Sequence, residues 1–135
     1  MDKSFKVLIS TPYGKYLETQ AEYLSVTTGM GVLGILANHT PLITNLEICE
    51  LEIKSGKETL NYAISGGLMN IKPNNEVVLL VNTIERGDEI DLDRAMKSKE
   101  RAEKRLNEDN VDAARARASL ARALVRIAVS NKIKL

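Results

Sequence analysis

The chain has 135 residues and a mass of 14.9 kDa, which is enough for one compact domain with a small appendage. Its 19 Lys and Arg residues nearly balance its 18 Asp and Glu residues, which argues against a nucleic-acid or membrane coat over the whole surface. A single cysteine excludes an internal disulfide. No apolar run approaches the roughly 20 residues of a membrane span, and the N-terminus lacks a signal-peptide or transit-peptide pattern. We therefore expect a soluble intracellular protein.

The first part of the chain contains short, alternating apolar segments that are separated by turn residues. The predicted strands are Phe5–Ser10, Tyr16–Leu17, Glu22–Thr27, Gly34–Leu36, Leu42–Leu46, Ile48–Ile53, Thr59–Ser65, Leu68–Ile71 and Glu76–Asn82. The segment 51–62 has solvent-type charges at its centre and predicts a β-hairpin. Many short strands at regular spacing are typical of a small β-sandwich or barrel.

Gly29, Gly31 and Gly34 match the letter pattern of a dinucleotide-binding fingerprint. That fingerprint requires a strand that leads into a helix, whose N-terminus meets the pyrophosphate. Here the residues that follow predict a strand and then a turn. We interpret the glycines as parts of a β-turn and a bulge.

The lone histidine and the lone cysteine do not indicate catalysis. His39 has no Cys, Asp or Glu at ligand spacing, so we expect a structural or interfacial residue and no metal site. Cys49 lies in an alternating strand pattern and is expected in the core. Residues 1–87 also contain no phosphate-binding loop and no nucleophile elbow.

Composition changes sharply at Gly87. All eight glycines and all three prolines lie at or before it, whereas Ala, Arg, Lys, Glu and Leu dominate the remainder. The boundary predicts an α+β protein in which 1–87 form the β-domain and 88–135 form a helical unit.

Two helices are predicted after this boundary, over about 90–106 and 111–130. Asp109 or Asn110 is expected to cap the second helix. Both helices carry an apolar stripe, and the short polar joint between them predicts an antiparallel hairpin. Its contacts are rich in alanine, which buries little area, so we expect the hairpin to be weakly held.

Basic residues accumulate in the second helix and the residues after it. From Ala113 onwards there are no acids, and the bases are Arg115, Arg117, Arg122, Arg126, Lys132 and Lys134. Arg122 and Arg126 are neighbours on one helix face, and in an antiparallel hairpin Arg94 and Arg101 converge with them. Guanidinium clusters bind phosphate or carboxylate groups. A solvated basic face and a surface that docks on an acidic protein are the alternatives that the charge pattern leaves open.

Four sequence blocks in fixed order carry a family resemblance. They are GILANHTPLIT at 34–44, YAISGGL at 62–68, TIER at 83–86 and IDLDRA at 90–95. Over essentially its full length the chain resembles the ε subunit of bacterial F-type ATP synthase. The resemblance implies an N-terminal β-sandwich of about ten strands and a C-terminal helical hairpin, in a non-catalytic subunit of the rotor's central stalk.

The resemblance also implies the partners of the sandwich, which are the rotating γ subunit and the ring of c subunits. A turn that contains Val32 and the segment Asn38, His39, Thr40 and Pro41 would face this ring. Many relatives carry Glu where this chain has Val32. The implied location is the cytoplasmic face of the bacterial cell membrane, reached through the complex, where the subunit couples γ to the c-ring in proton- or sodium-driven ATP synthesis.

For the hairpin, the resemblance implies two positions. It lies folded on the sandwich, or it extends along γ toward the catalytic α and β subunits. The extended hairpin hinders rotation in the hydrolysis direction, with its basic second helix against an acidic segment of β.

Some bacterial relatives bind ATP in the folded hairpin, and their pattern Ile-Asp-x-x-Arg-Ala is intact here. The positions that match are Glu85, Ile90, Asp91, Arg94, Ala95, Arg101, Arg122 and Arg126. The four arginines would meet the phosphates, and the other residues would surround the adenine. ATP is thus implied as a regulatory ligand, with no required cofactor.

Other functions remain as alternatives. The first is a purely structural rotor adaptor whose hairpin neither inhibits hydrolysis nor senses ATP. A nucleic-acid-binding module is disfavoured by the net charge of +1, and a small enzyme by the lack of catalytic groups.

Overall fold

The computed structural model describes residues 3–108 and 112–133. Strands come first, followed by a 3₁₀ turn and two helices. The strands are β1 (Phe5–Thr11), β2 (Gly14–Ala21), β3 (Tyr23–Thr28), β4 (Gly31–Ile35), β5 (Leu42–Ser55), β6 (Glu58–Lys72), β7 (Glu76–Val81) and β8 (Ile84–Arg86). The 3₁₀ turn is Gly87–Glu89, and the helices are α1 (Leu92–Leu106) and α2 (Ala113–Ile133). The predicted α+β fold is confirmed.

The strands form a two-layer sandwich because β5 and β6 each pass through both layers. In the first layer, β2, β1 and β7 continue into the second half of β6 and the first half of β5. The second layer contains β8, the other halves of β6 and β5, and then β3 and β4. Glu47 and Gly66 form no ladder pair where the halves meet. Each of these long strands thus replaces two predicted strands. When the halves of β5 and β6 are counted separately, the sandwich has the expected number of about ten strands.

The core lies between the two layers. Alternate residues of each strand face it, as the two-residue period of a strand requires. Val7 and Leu79 of the first layer and Leu24 and Leu51 of the second are fully buried there. Cys49 is 5 % exposed in the same core, as predicted from its strand pattern.

The predicted turns form tight hairpins. Gly31 adopts a φ of +114° at the β3–β4 turn, where the Thr28 hydroxyl donates to the Gly31 carbonyl at 3.0 Å. The glycine pattern therefore belongs to a hairpin and not to a nucleotide fold, as predicted. Gly56, with a φ of +61°, turns the expected β5–β6 hairpin, in which Ser55 pairs with Glu58.

An aspartate caps the N-terminus of each helix. The Asp91 carboxylate accepts the backbone N–H of Arg94 at 3.1 Å, so α1 begins two residues after the predicted start because the 3₁₀ turn precedes it. The predicted cap residues of α2, Asp109 and Asn110, lie outside the described residues. Asp112 accepts the backbone N–H of Arg115 at 3.2 Å and acts as an N-cap.

The two helices pack against each other through small side chains. Ala95 and Ala102 of α1, and Ala116 and Ala123 of α2, are buried. The short connection makes the pair antiparallel, as the sequence predicted. Since each methyl group contributes only about 0.8 kcal/mol on burial, this seam is weak.

We expect Ser130→Ala to stabilise α2 on the sandwich by about 1–2 kcal/mol. The Ser130 side chain is 1 % exposed, and its hydroxyl finds no hydrogen-bond partner among the described residues. A buried unpaired hydroxyl destabilises a fold, and alanine also has the higher helix propensity. Hydrogen exchange of the α2 amides measures the change. Asn131→Ala, at an exposed position of the same helix, controls for propensity; equal slowing by both variants would contradict the prediction.

Candidate functional site

α2 docks on the outer face of the second layer along one row of cross-strand neighbours. The row consists of Glu50 on β5, Ala63 on β6 and Glu85 on β8. Arg126 Nε lies 2.6 Å from Glu85 Oε1, and Lys132 Nζ lies 2.6 Å from Glu50 Oε1. Val129, fully buried, packs on Ala63 between these ion pairs. Arg126, Val129 and Lys132 follow one another at intervals of three residues in α2 and therefore share one helix face. We call this set of contacts the docking row.

The docking row contributes only a small free energy to the docking of the hairpin on the sandwich. Both ion pairs are partly exposed, and such pairs contribute about 0–1 kcal/mol each. The apolar contact is a small cluster, in which Ile90 and Val125 join Ala63 and Val129. Docking is therefore weak compared with the free energy that folds the sandwich.

A groove of about 270 Å³ lies between α1 and α2. Four arginines and two serines line it, above a floor of two alanines; they are Arg101, Arg105, Arg122, Arg126, Ser98, Ser119, Ala102 and Ala123. None of these eight residues is acidic. We call this feature the arginine groove. Such a lining is suited to anions that carry several charges.

The arginine groove brings together three of the four arginines predicted to meet phosphates. Arg101, Arg122 and Arg126 line it, and so does Arg105, which the sequence analysis did not include. Arg105 follows Arg101 by four residues, and this same-face spacing was an available signal. Arg94 does not line the groove. It borders an open depression beside Asp91, Asp93, Lys97, Glu100 and Arg101.

The residues predicted to surround adenine serve the fold in this structure. Ile90 and Ala95 are 8 % and 2 % exposed, so they lie mainly within the packing. The Asp91 carboxylate caps α1. Glu85 pairs with Arg126 and borders a small cleft that Arg122 and Arg126 also line. Glu85 is thus the member of this group that lies beside the arginine groove.

Aromatic and charged side chains fix the junction between the sandwich and the hairpin. The Tyr16 and Tyr62 rings meet edge to face, with centroids 6.1 Å apart. Burial, with a contribution from the nearby Glu89 carboxylate, raises the pKa of Tyr16 to about 12, and burial also raises the pKa of Tyr62. Arg86 Nε lies 2.6 Å from Asp88 Oδ1, and this hydrogen bond lowers the pKa of the Asp88 carboxyl.

We expect the junction to weaken only in strong alkali. The pKa of Tyr16 rises from 10.0 to about 12, so folding favours the neutral phenol. Its contribution to stability is complete below pH 10 and is lost as the pH rises through about 12. Tyrosinate absorbance should show a late transition, and Tyr16→Phe should reduce its amplitude by one tyrosine, because the pKa of Tyr62 is raised as well. A variant with the full amplitude of the parent would contradict the assignment.

The residues predicted to face a c-ring lie in two segments and not in one turn. Val32 is on β4, next to the β3–β4 hairpin turn, and is 76 % exposed. The segment from Asn38 to Pro41 lies in the β4–β5 connection, beyond the end of β4. There the Asn38 backbone N–H donates to Asn75 Oδ1 at 2.7 Å, and His39 Nδ1 lies 2.7 Å from the Thr40 carbonyl oxygen.

Apolar side chains also cover the outer face of the first layer. Ile43, Leu68 and Leu80 are 66 %, 37 % and 50 % exposed, and Leu68 and Leu80 are cross-strand partners. Leu8 and Val78 are half-buried and pair with each other one row away. Exposed apolar patches of this kind mark interaction surfaces. The continuous apolar run of β7, which does not alternate, was a signal of this outer apolar face.

Family comparisons cover both parts of the chain. Residues 4–87 match the family model "ATP synthase, Delta/Epsilon chain, beta-sandwich domain". Residues 88–131 match "ATP synthase, Delta/Epsilon chain, long alpha-helix domain". The chain belongs to the ATP synthase delta/epsilon chain family. The resemblance inferred from the four sequence blocks is therefore confirmed.

The curated relatives are epsilon chains of similar length. The ATP synthase epsilon chain of Desulfitobacterium hafniense strain Y51 is 39% identical over 128 residues, which cover 94% of this chain and 96% of the relative. The epsilon chain of Shouchella clausii strain KSM-K16 is 41% identical over 129 residues, 95% of this chain and 96% of the relative.

Two solved structures share the fold of this delta/epsilon family member. A chain of the Euglena gracilis mitochondrial ATP synthase (OSCP/F1/c-ring, rotational state 1) has a TM-score of 0.78 and 20% identity, covering 99% of this chain and 82% of that one. A chain of the Tetrahymena thermophila mitochondrial ATP synthase (central stalk/c-ring) has a TM-score of 0.59 and 17% identity, with 96% of each chain covered.

The described residues of this family member contain neither a metal-binding cluster nor a membrane-spanning helix. No three His, Cys, Asp or Glu side chains there are placed to hold a metal ion. None of the described helices has the length and apolar character to cross a membrane.

Proposed function

We propose that this epsilon-family chain is a non-catalytic subunit of the central stalk of an F-type ATP synthase, and that its hairpin restrains ATP hydrolysis when it leaves the sandwich. The observation that carries the proposal is the weak docking row beside the arginine groove. A helix held by two partly exposed ion pairs and a small apolar cluster is suited to release, whereas the sandwich has its own continuous core.

The two exposed surfaces of the sandwich support the proposed partners. We assign the outer apolar face around Ile43, Leu68 and Leu80 to the γ subunit, because docking on a partner removes apolar surface from water. Val32 and the loop from Asn38 to Pro41 are assigned to the c-ring. The subunit then couples γ to the ring in proton- or sodium-driven ATP synthesis. Its position at the cytoplasmic face of the bacterial membrane follows from these contacts.

Release of α2 frees its basic residues for a new partner. Arg126 and Lys132 lose Glu85 and Glu50, and they join Arg115 and Arg117 on a helix whose first turn has no acid. We propose that this helix extends toward the catalytic α and β subunits and binds an acidic segment of β, with complementary charge steering the contact.

ATP is the proposed signal that holds the hairpin down. The arginine groove takes residues from both helices, and its Arg122 and Arg126 also line the cleft beside Glu85 of the sandwich. A ligand that fills the groove therefore binds the hairpin docked on the sandwich and not a hairpin that has extended. Such a ligand stabilises the docked state by about 2.7 kcal/mol when its concentration is 100 times its Kd. High ATP then favours the permissive position, and low ATP the inhibitory one.

Calorimetric titration of the full chain with ATP tests this signal. We expect saturable binding together with slower hydrogen exchange in α1 and α2, because the bound phosphates bridge the helices. No heat at millimolar ATP would reject ATP sensing.

The alternative is a structural adaptor whose hairpin stays on the sandwich. The two ion pairs of the docking row, which seat α2 on the sandwich, favour this alternative. Hydrolysis by the assembled complex distinguishes the two functions, as described at the end of the Discussion.

A further inference from the structure

Two serines in the arginine groove occupy equivalent places on the two helices. Arg101 Nη2 donates to Ser98 Oγ at 3.2 Å on α1, and Arg122 Nη2 donates to Ser119 Oγ at 3.1 Å on α2. Each serine precedes its arginine by three residues, which places both side chains on one helix face. Both pairs line the same groove.

We propose that the Ser98 and Ser119 hydroxyls bind a phosphate chain directly. The same hydroxyls also position the arginines that bind it. The inference deepens the proposed ATP site and rests on it. A serine hydroxyl has one donor and two acceptor lone pairs. Because each oxygen already accepts a guanidinium N–H, its own O–H hydrogen is available to a phosphate oxygen. The same contact holds the guanidinium in place and leaves its remaining N–H groups for the anion.

The charge of the groove selects a chain of phosphates over a single carboxylate. Arg126 is partly neutralised by Glu85. Among the described residues, no carboxylate pairs with Arg101, Arg105 or Arg122. Three uncompensated guanidinium groups repel one another until an anion of matching charge enters. A triphosphate supplies this charge over several oxygens, which both serine hydroxyls reach from opposite helices.

Calorimetry on the full chain tests the inference with ATP, inorganic tripolyphosphate and adenosine. We expect Ser98→Ala and Ser119→Ala each to weaken ATP and tripolyphosphate by about fivefold to tenfold, and the double variant by about 30-fold or more. Ser98→Thr keeps the hydroxyl and should bind within about twofold of the parent. Adenosine, which has no phosphate, should show no dependence on the serines.

Controls separate binding from folding. Alanine has the higher helix propensity, so the serine variants should melt at or above the parent temperature. Ser55→Ala, at the exposed end of β5, should leave both affinities unchanged.

Each outcome decides between the two proposals. Unchanged ATP affinity in the double serine variant would overturn the serine role and leave the ATP site standing. Serine-dependent binding of tripolyphosphate without ATP binding would support the serine role and reject ATP sensing. Binding of neither ligand by the parent chain would overturn both.

Discussion

The double variant Arg101→Ala/Arg122→Ala should lower the affinity of the chain for ATP by at least about 100-fold. The two arginines approach the arginine groove from opposite helices, and each is held by a serine. Hydrogen bonds to charged groups are worth about 1.5–3 kcal/mol each, and every 1.4 kcal/mol changes affinity tenfold. Calorimetric titration measures the loss directly.

A matched control for this variant exists on α2 itself. Arg115 and Arg117 are exposed and do not line the groove, so Arg115→Ala/Arg117→Ala removes the same charge from the same chain. We expect a change of no more than about threefold, from long-range electrostatics alone. Equal losses in both double variants would contradict a defined phosphate site and favour a diffuse basic surface.

Gly67→Ala should destabilise the sandwich by more than about 4 kcal/mol and abolish folding at ordinary temperatures. Gly67 has a φ of +152°, and an added Cβ would overlap the Leu80 carbonyl oxygen and lie 2.8 Å from Val81 Cα. Both contacts are with the backbone of β7, which cannot move without loss of its ladder to β6. Circular dichroism and denaturant titration check the prediction.

Gly56→Ala separates the steric clash from the effect of backbone angle. Gly56 also has a positive φ, of +61°, but an added Cβ meets nothing within 4 Å. We expect it to destabilise by about 1–2 kcal/mol, the ordinary penalty for a left-handed alanine. If Gly67→Ala were no worse than Gly56→Ala, β7 would not approach Gly67 of β6 as closely as described.

Local patterns were sufficient to predict most secondary structure. The Gly56 turn, the aspartates before α1 and the absence of glycine and proline after Gly87 act over a few residues, and the structure follows them. Gly66 and Gly67 suggested a break between two strands. In the structure β6 passes through both glycines, because the missing side chains allow β7 to approach closely as the sheet bends.

The docking row was less accessible from the sequence. Asn61, Ala63 and Ser65 are alternate residues of β6 and share its outer face. Small and polar residues at such positions are typical of a face that contacts solvent. That Glu50, Ala63 and Glu85 form one row depends on the register of three strands, which nearby residues do not encode. The position of α2 over that row is likewise a long-range property.

The sequence predicted Arg101, Arg122 and Arg126 of the arginine groove but also included Arg94, which lies outside it. The reason for this difference is geometric. Arg94 lies seven residues before Arg101, on nearly the same face of α1 but about 10 Å away along its axis. The arginines of α2 lie opposite the part of α1 that carries Ser98 and Arg105. Helix pairing, which the sequence pattern alone does not align, decides which arginines meet.

ATP hydrolysis by the assembled complex tests the central claim most directly, when a complex with the full chain is compared with one whose chain ends at Gly87. We expect the truncated complex to hydrolyse ATP several times faster at low ATP, with a smaller difference at high ATP, because ATP holds the intact hairpin on the sandwich. Equal rates at every ATP concentration would contradict the claim and leave the chain a structural adaptor.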